Sequence, residues 1–114
     1  MQFYEKLVFV MDLARTSNRE LAQALGVDPA VVSRLRNGRR GAPRKEETVR
    51  RMAGFLAARC TSDYQRSALS EMAGVKRMLV ARPEQLAEFL FYWLRGDEDG
   101  VEGFMRDFEA LTIE

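Results

Sequence analysis

The stretch NRELAQALGVDPAVVSRLRN, residues 18–37, decides how this chain folds. With Asn18 as the first position, Leu21, Leu25, Val27, Val32 and Leu35 place apolar side chains at the fourth, eighth, tenth, fifteenth and eighteenth. The small Ala22 stands fifth, where two helices would cross closely. Gly26 stands ninth, where a sharp turn needs a residue that tolerates a left-handed backbone. The helix ends are also legible. Ser17 and Glu20 have capping-box spacing, each side chain able to satisfy a backbone N–H at a helix start. Asp28 before Pro29 pairs an N-cap carboxylate with a proline at the first helical position, where its missing N–H costs nothing. Asn37-Gly38 offers two residues that accept the left-handed conformation just past Arg36. A helix, a tight turn and a second helix follow.

The flanking segments also read as helix. Residues 2–15 put Phe3, Leu7, Val10, Met11 and Ala14 on one face, and Tyr4, Val8 and Phe9 widen it enough to imply burial against more than one neighbour. Arg39-Arg40-Gly41-Ala42-Pro43 is a loop by its Gly and Pro. A helix over about 44–59 would bury Val49, Met52, Ala53, Leu56 and Cys60. The next, about 63–73, carries Tyr64, Ala68, Leu69 and Met72 and stops at Gly74. Residues 75–81 allow a short helical turn. Pro83 opens a helix through Arg95, turn residues fill 96–100, and a last helix over about 101–111 shows Val101, Phe104, Met105, Phe108 and Leu111 at helical spacing. The expected class is therefore all-α, and 114 residues suit one domain with a helical extension.

The formal charge of +1 hides an asymmetry. Residues 1–60 hold 12 Lys/Arg and 6 Asp/Glu, a net of +6, while residues 61–114 hold 6 and 11, a net of −5. The composition therefore divides the chain into a basic unit, 1–60 with a core reaching to about 74, and an acidic, aromatic-rich unit, 61–114. A basic unit is suited to phosphates. The chain has no histidine and only one cysteine, Cys60, so it lacks the commonest general base and metal ligand and cannot form an internal disulfide. No metal spacing, phosphate-binding glycine loop or nucleophile–base pairing appears; neither an enzyme nor a cofactor is expected. The longest apolar run, Phe89 to Leu94, is too short for a bilayer, and Glu5 and Asp12 interrupt any leader-like pattern, so a cytoplasmic location is expected.

Residues 3–60 resemble the lambda-repressor-like (Xre/Cro) helix-turn-helix family. The resemblance rests on Arg19-Glu20-Leu21-Ala22, Leu25-Gly26-Val27, Val32-Ser33-Arg34-Leu35 and Asn37-Gly38, with one helix before and an amphipathic helix after. It implies a lambda-repressor-like bundle with a C-terminal helical extension, acting as a dimeric regulator of transcription that reads an inverted repeat in double-stranded DNA. The helix at about 29–37 would enter the major groove, with Pro29, Ala30, Ser33 and Arg34 facing the bases. Arg34 is the expected base reader, because a guanidinium can bond O6 and N7 of guanine together. Pro29 and Ala30 offer apolar contact, and Ala30 also a backbone N–H; many relatives carry a polar reader at one of these positions. Asn18 and Arg19 at a helix start, Asn37 at a helix end, and the rim of Arg39, Arg40, Arg44 and Lys45 are the expected phosphate contacts.

The acidic half has a different expected role. Phe89, Phe91, Tyr92 and Trp93, with Phe104 and Phe108, could pack into a core or form the seam of a homodimer or a protein-partner site. A symmetric dimer would match a palindromic operator. Two other classes fit the same sequence. One is an antitoxin or anti-repressor type of interaction module, using 61–114 for its partner. The other is the DNA-binding part of a longer sensor-regulator.

Overall fold

Capping chemistry sets the boundaries of the helices more sharply than hydrophobic periodicity does. The computed structural model describes residues 1–75 and 78–112, and all regular structure among them is helical. The elements are α1 (Phe3–Leu13), α2 (Asn18–Leu25), α3 (Pro29–Arg36), α4 (Glu46–Ala58), α5 (Asp63–Ala73), a 3₁₀ turn (Met78–Val80), α6 (Pro83–Arg95) and α7 (Glu98–Thr112). At the start of α2, Ser17 Oγ accepts the Glu20 N–H at 3.1 Å and Glu20 Oε1 accepts the Ser17 N–H at 2.9 Å. Gly26 closes α2 at φ +70°, the left-handed turn the sequence requires. Two endings differ from expectation. Asn37 keeps φ −97° and only Gly38, at +80°, turns left-handed. Arg15 adopts φ +51°, which lets the Thr16 N–H reach Met11 O at 2.9 Å and close α1.

The last helix begins earlier than periodicity indicates. Asp97 Oδ1 accepts the Gly100 N–H at 2.9 Å, an N-cap that starts α7 at Glu98 rather than near Val101. Gly100 therefore lies inside the helix, and its missing side chain has a use. A Cβ there would stand 2.3 Å from the Tyr92 ring and 2.7 Å from the Asp97 carboxylate. The first turn of α7 thus packs directly on α6. The side chain of Leu111 lies outside the described residues.

The most extensive packing joins α4 to α6. They run antiparallel: Arg50, early in α4, stacks 4.0 Å above the ring of Phe91, late in α6. Further contacts pair α2 with α3 and α4, α1 with α3 and α6, and α6 with α7. One apolar cluster runs through all of them, from Leu7, Leu21 and Val32 through Met52 and Leu56 to Phe89 and Phe108. The charge boundary near residue 61 does not divide this core.

The aromatic residues of the acidic half are part of it, the core role that the sequence allowed beside a dimer or partner seam. Phe89, Phe91, Trp93, Phe104 and Phe108 are buried within the single chain, and Tyr92 is half-buried against Gly100. Phe89 stacks on Trp93 with centroids 6.1 Å apart, and Phe104 on Phe108 at 5.5 Å. Phe91 is covered by the guanidinium groups of Arg50 and Arg95. The reason is the width of α6's apolar surface, which α4, α7 and α1 cover from different sides. On α5 only Leu69 of the large apolar residues expected on the inner face is buried. Tyr64 is 77% exposed and Met72 is exposed, whereas Leu69 and Arg66 are buried.

Arg66 compensates for its burial with backbone carbonyls. Its Nε donates to Cys60 O at 2.7 Å, and its Nη1 donates to Met78 O at 2.9 Å and to Ala81 O. Its neighbour Gln65 joins two helix ends, donating to Leu13 O at 2.9 Å and Arg59 O at 3.0 Å. Cys60 is fully buried beneath them, and burial pushes its thiol up to about 11. A thiol so placed is chemically quiet.

Two measurements check this packing. Urea unfolding of Arg66→Met should show a loss of about 2–4 kcal/mol, because three buried carbonyls lose their charged donor. In thermal unfolding, Gly100→Ala should lower the midpoint through its clash with Tyr92. Gly54→Ala, mid-α4 with open space around it, should raise stability by about 0.5–1 kcal/mol.

Candidate nucleic-acid interface

The α2–α3 unit buries all but one of the residues its pattern calls for and turns its outer face to solvent. Leu21, Ala22, Leu25, Val32 and Leu35 are buried, whereas Pro29, Ala30, Ser33 and Arg34 are all exposed on α3. Val27 departs from the pattern, remaining 37% exposed. The four expected base-facing residues therefore share one accessible surface. The backbone of Ala30 is not free, because its N–H donates to Asp28 Oδ1 at 2.8 Å. Ala30 retains only its methyl group for contact, and Asp28 acts as a cap.

The expected phosphate contacts fall into two groups. Asn18 and Asn37 spend their side-chain oxygens internally: Arg36 Nη1 donates to Asn18 Oδ1 at 3.0 Å, and the Arg39 N–H donates to Asn37 Oδ1 at 3.0 Å. Asn37 thus shapes the loop as an Asx turn. The N–H groups of Arg39 and Arg40 both donate to Arg34 O, at 3.1 and 3.2 Å, folding the loop back on the end of α3. Arg19, Arg39, Arg40, Arg44 and Lys45 are exposed, as is Arg34. Arg44 and Lys45 precede α4, which begins at Glu46 with Lys45 as its N-cap.

Every acidic residue of the first 60 has an internal partner. Glu5 accepts the Gln2 N–H, Asp12 pairs with Arg36 at 3.2 Å, and Asp28 caps α3. Glu46 and Glu47 pair with Arg50 and Arg51 one turn along α4, and Glu20 pairs with Arg59 at 2.9 Å. The Ser17 backbone hydrogen bond, with Arg59 beside it, holds the Glu20 carboxyl below its usual range. By contrast, Arg19, Arg34, Arg39, Arg40, Arg44 and Lys45 form no ion pair among the described residues. The field left over is positive and belongs to α2, α3 and the loop after them.

One feature of this surface has no counterpart in the sequence expectations. A groove of about 450 Å³ opens between the α2–α3 turn and the 37–45 loop, floored by Leu25, Val27, Val31, Leu35 and Pro43. The signal for it was Val31, an apolar residue beyond the helix-crossing pattern, beside a Gly-Ala-Pro loop with too little side chain to cover it.

No family model matches this chain, and no curated protein or solved structure matches it. Among the described residues no cluster of His, Cys, Asp or Glu could hold a metal ion, and no helix is long and apolar enough to cross a membrane.

Asp28→Ala should cost about 1 kcal/mol in chemical unfolding by stripping α3 of its cap. An unchanged unfolding midpoint would mean that the Asp28–Ala30 bond contributes nothing to α3.

Proposed function

We propose that this chain is a sequence-specific, double-stranded DNA-binding regulator of transcription of the lambda-repressor-like helix-turn-helix type. In this reading α3 enters the major groove, and the protein works in the cytoplasm without a cofactor. The observation that carries it is charge placement. Six exposed cations without ion-pair partners surround a short helix whose outward face is Pro29, Ala30, Ser33 and Arg34. Exposed cations gain little from internal pairing, but each phosphate they neutralise releases counterions. Arg34 and Ser33 carry base recognition, and the two apolar residues before them suit a thymine methyl. Asn18 and Asn37 through their amide donors, with Arg19, Arg39, Arg40, Arg44 and Lys45, supply the sequence-independent grip.

A homodimer on an inverted repeat belongs to the same proposal. Its seam cannot use the buried aromatic residues of α6 and α7. The exposed apolar side chains Tyr64 and Met72 on α5 and Leu79 and Val80 in the 3₁₀ turn after it are the candidates for that contact in this reading.

Selection of bound duplexes from a random pool at near-physiological salt tests the reading. An enriched inverted repeat with half-sites about one helical turn apart supports both DNA recognition and the dimer. A single enriched half-site supports recognition alone, and no enrichment by folded protein overturns it. On the selected site, Arg34→Ala should cost about 1–3 kcal/mol and relax preference at one position per half-site. Arg40→Ala should weaken all sequences alike and reduce the log–log salt slope by about 0.9.

A further inference from the structure

We propose that the groove beside α3 is a docking site for an acidic amphipathic segment of a partner protein. Its chemistry combines two demands that one ligand class meets. The floor is apolar, with Val27 exposed and Val31 half-buried, so it gains from an inserted branched or aromatic side chain. The rim is Arg40, Arg44 and Lys45, without ion-pair partners among the described residues, and no carboxylate lines the groove. A segment with one or two apolar residues flanked by Asp or Glu fills the floor and neutralises the rim together.

Other occupants fit less well. A nucleic acid backbone satisfies the cations but has no side chain for Val27 and Val31. A second copy of the chain could offer Tyr64 and Met72 beside Asp63 and Glu71. That contact would join two different surfaces, and it closes into a two-fold dimer only if both copies make it at once across the axis. The inference has a regulatory side that rests on the proposed DNA reading. Arg40, Arg44 and Lys45 cannot hold a partner's carboxylates and phosphates at the same time, so docking releases DNA.

The docking site is tested without DNA, so that its failure and that of the DNA reading are separate results. Random short peptides displayed on phage are selected against the full chain. The most enriched sequence is then made with a fluorescent label, and its affinity is measured by anisotropy. The expected sequence holds apolar residues between Asp or Glu. Its affinity should fall at least about tenfold with Val27→Asp, with the pair Arg40→Ala and Arg44→Ala, and with serine in place of the peptide's apolar residues. The double arginine variant alters only exposed loop side chains, so it decides the matter even if Val27→Asp unfolds. No enrichment, or affinity unchanged by the double variant or by serine in the peptide, overturns the proposal. Concentration-dependent self-association in sedimentation, abolished by the same double variant, would also overturn it and make a second copy the occupant. In a second arm, the labelled peptide should displace the selected duplex. Peptide and duplex bound together would overturn the regulatory side.

Discussion

The antiparallel contact between α4 and α6 is the constraint on which the other elements depend. The apolar surface of α6 spans most of its circumference, and each aromatic side chain it buries removes on the order of 150–250 Å² from water. One helix cannot cover such a surface, so α4 takes one side and α7 another, while Arg50 and Arg95 lay their guanidinium groups over Phe91. α4 is also packed against α2. The apolar half of the chain therefore sets the position of the helix pair that carries the basic half's charge. Lys6 adds a polar tie, its ammonium donating to Trp93 O at 2.7 Å, and burial lowers its proton affinity.

The positive surface depends as much on how the acids are used as on how many arginines there are. A carboxylate left free near α3 would cancel the field over a few ångströms. Instead, Asp12, Glu20, Glu46 and Glu47 are offset by arginines, and only Glu5 and Asp28, bonded to backbone N–H groups, keep an unpaired charge. Glu20 serves two purposes, capping α2 and tying it to Arg59 at the end of α4.

Local signals in the sequence were sufficient for most of the secondary structure. The ranges of α5 and α6 coincide with expectation because Ser62, Gly74, Pro83 and Gly96 mark them with side-chain chemistry. The start of α7 was missed because Asp97 looked like one more turn residue, and only the approach of Tyr92 explains a glycine one turn into a helix. Burial was harder to read than helicity. Periodicity places Tyr64, Leu69 and Met72 on an apolar stripe of α5, but only Leu69 reached the core, and the buried face turned toward Arg66, which found three carbonyls. No local pattern reveals that a cation will be buried, because its partners come from distant positions. The same limit applies to the candidate site. The outward residues of α3 were legible from spacing, whereas the groove depends on how far the 37–45 loop stands from Val27.

The guanidinium of Arg66 also has a topological consequence. It holds Cys60 O, two residues past α4, together with Ala81 O, two residues before α6. The chain thus departs and returns within the reach of one side chain, and the intervening segment is a closed excursion clipped into a helical hairpin. The pin is itself a residue of α5, so the closure depends on keeping Arg66, its neighbour Gln65 and the buried Leu69 and Met78. What is left free to vary on α5 is its outer side, where Tyr64 and Met72 stand exposed. Substitutions there leave the clip, and the helix pair carrying the basic surface, as they are.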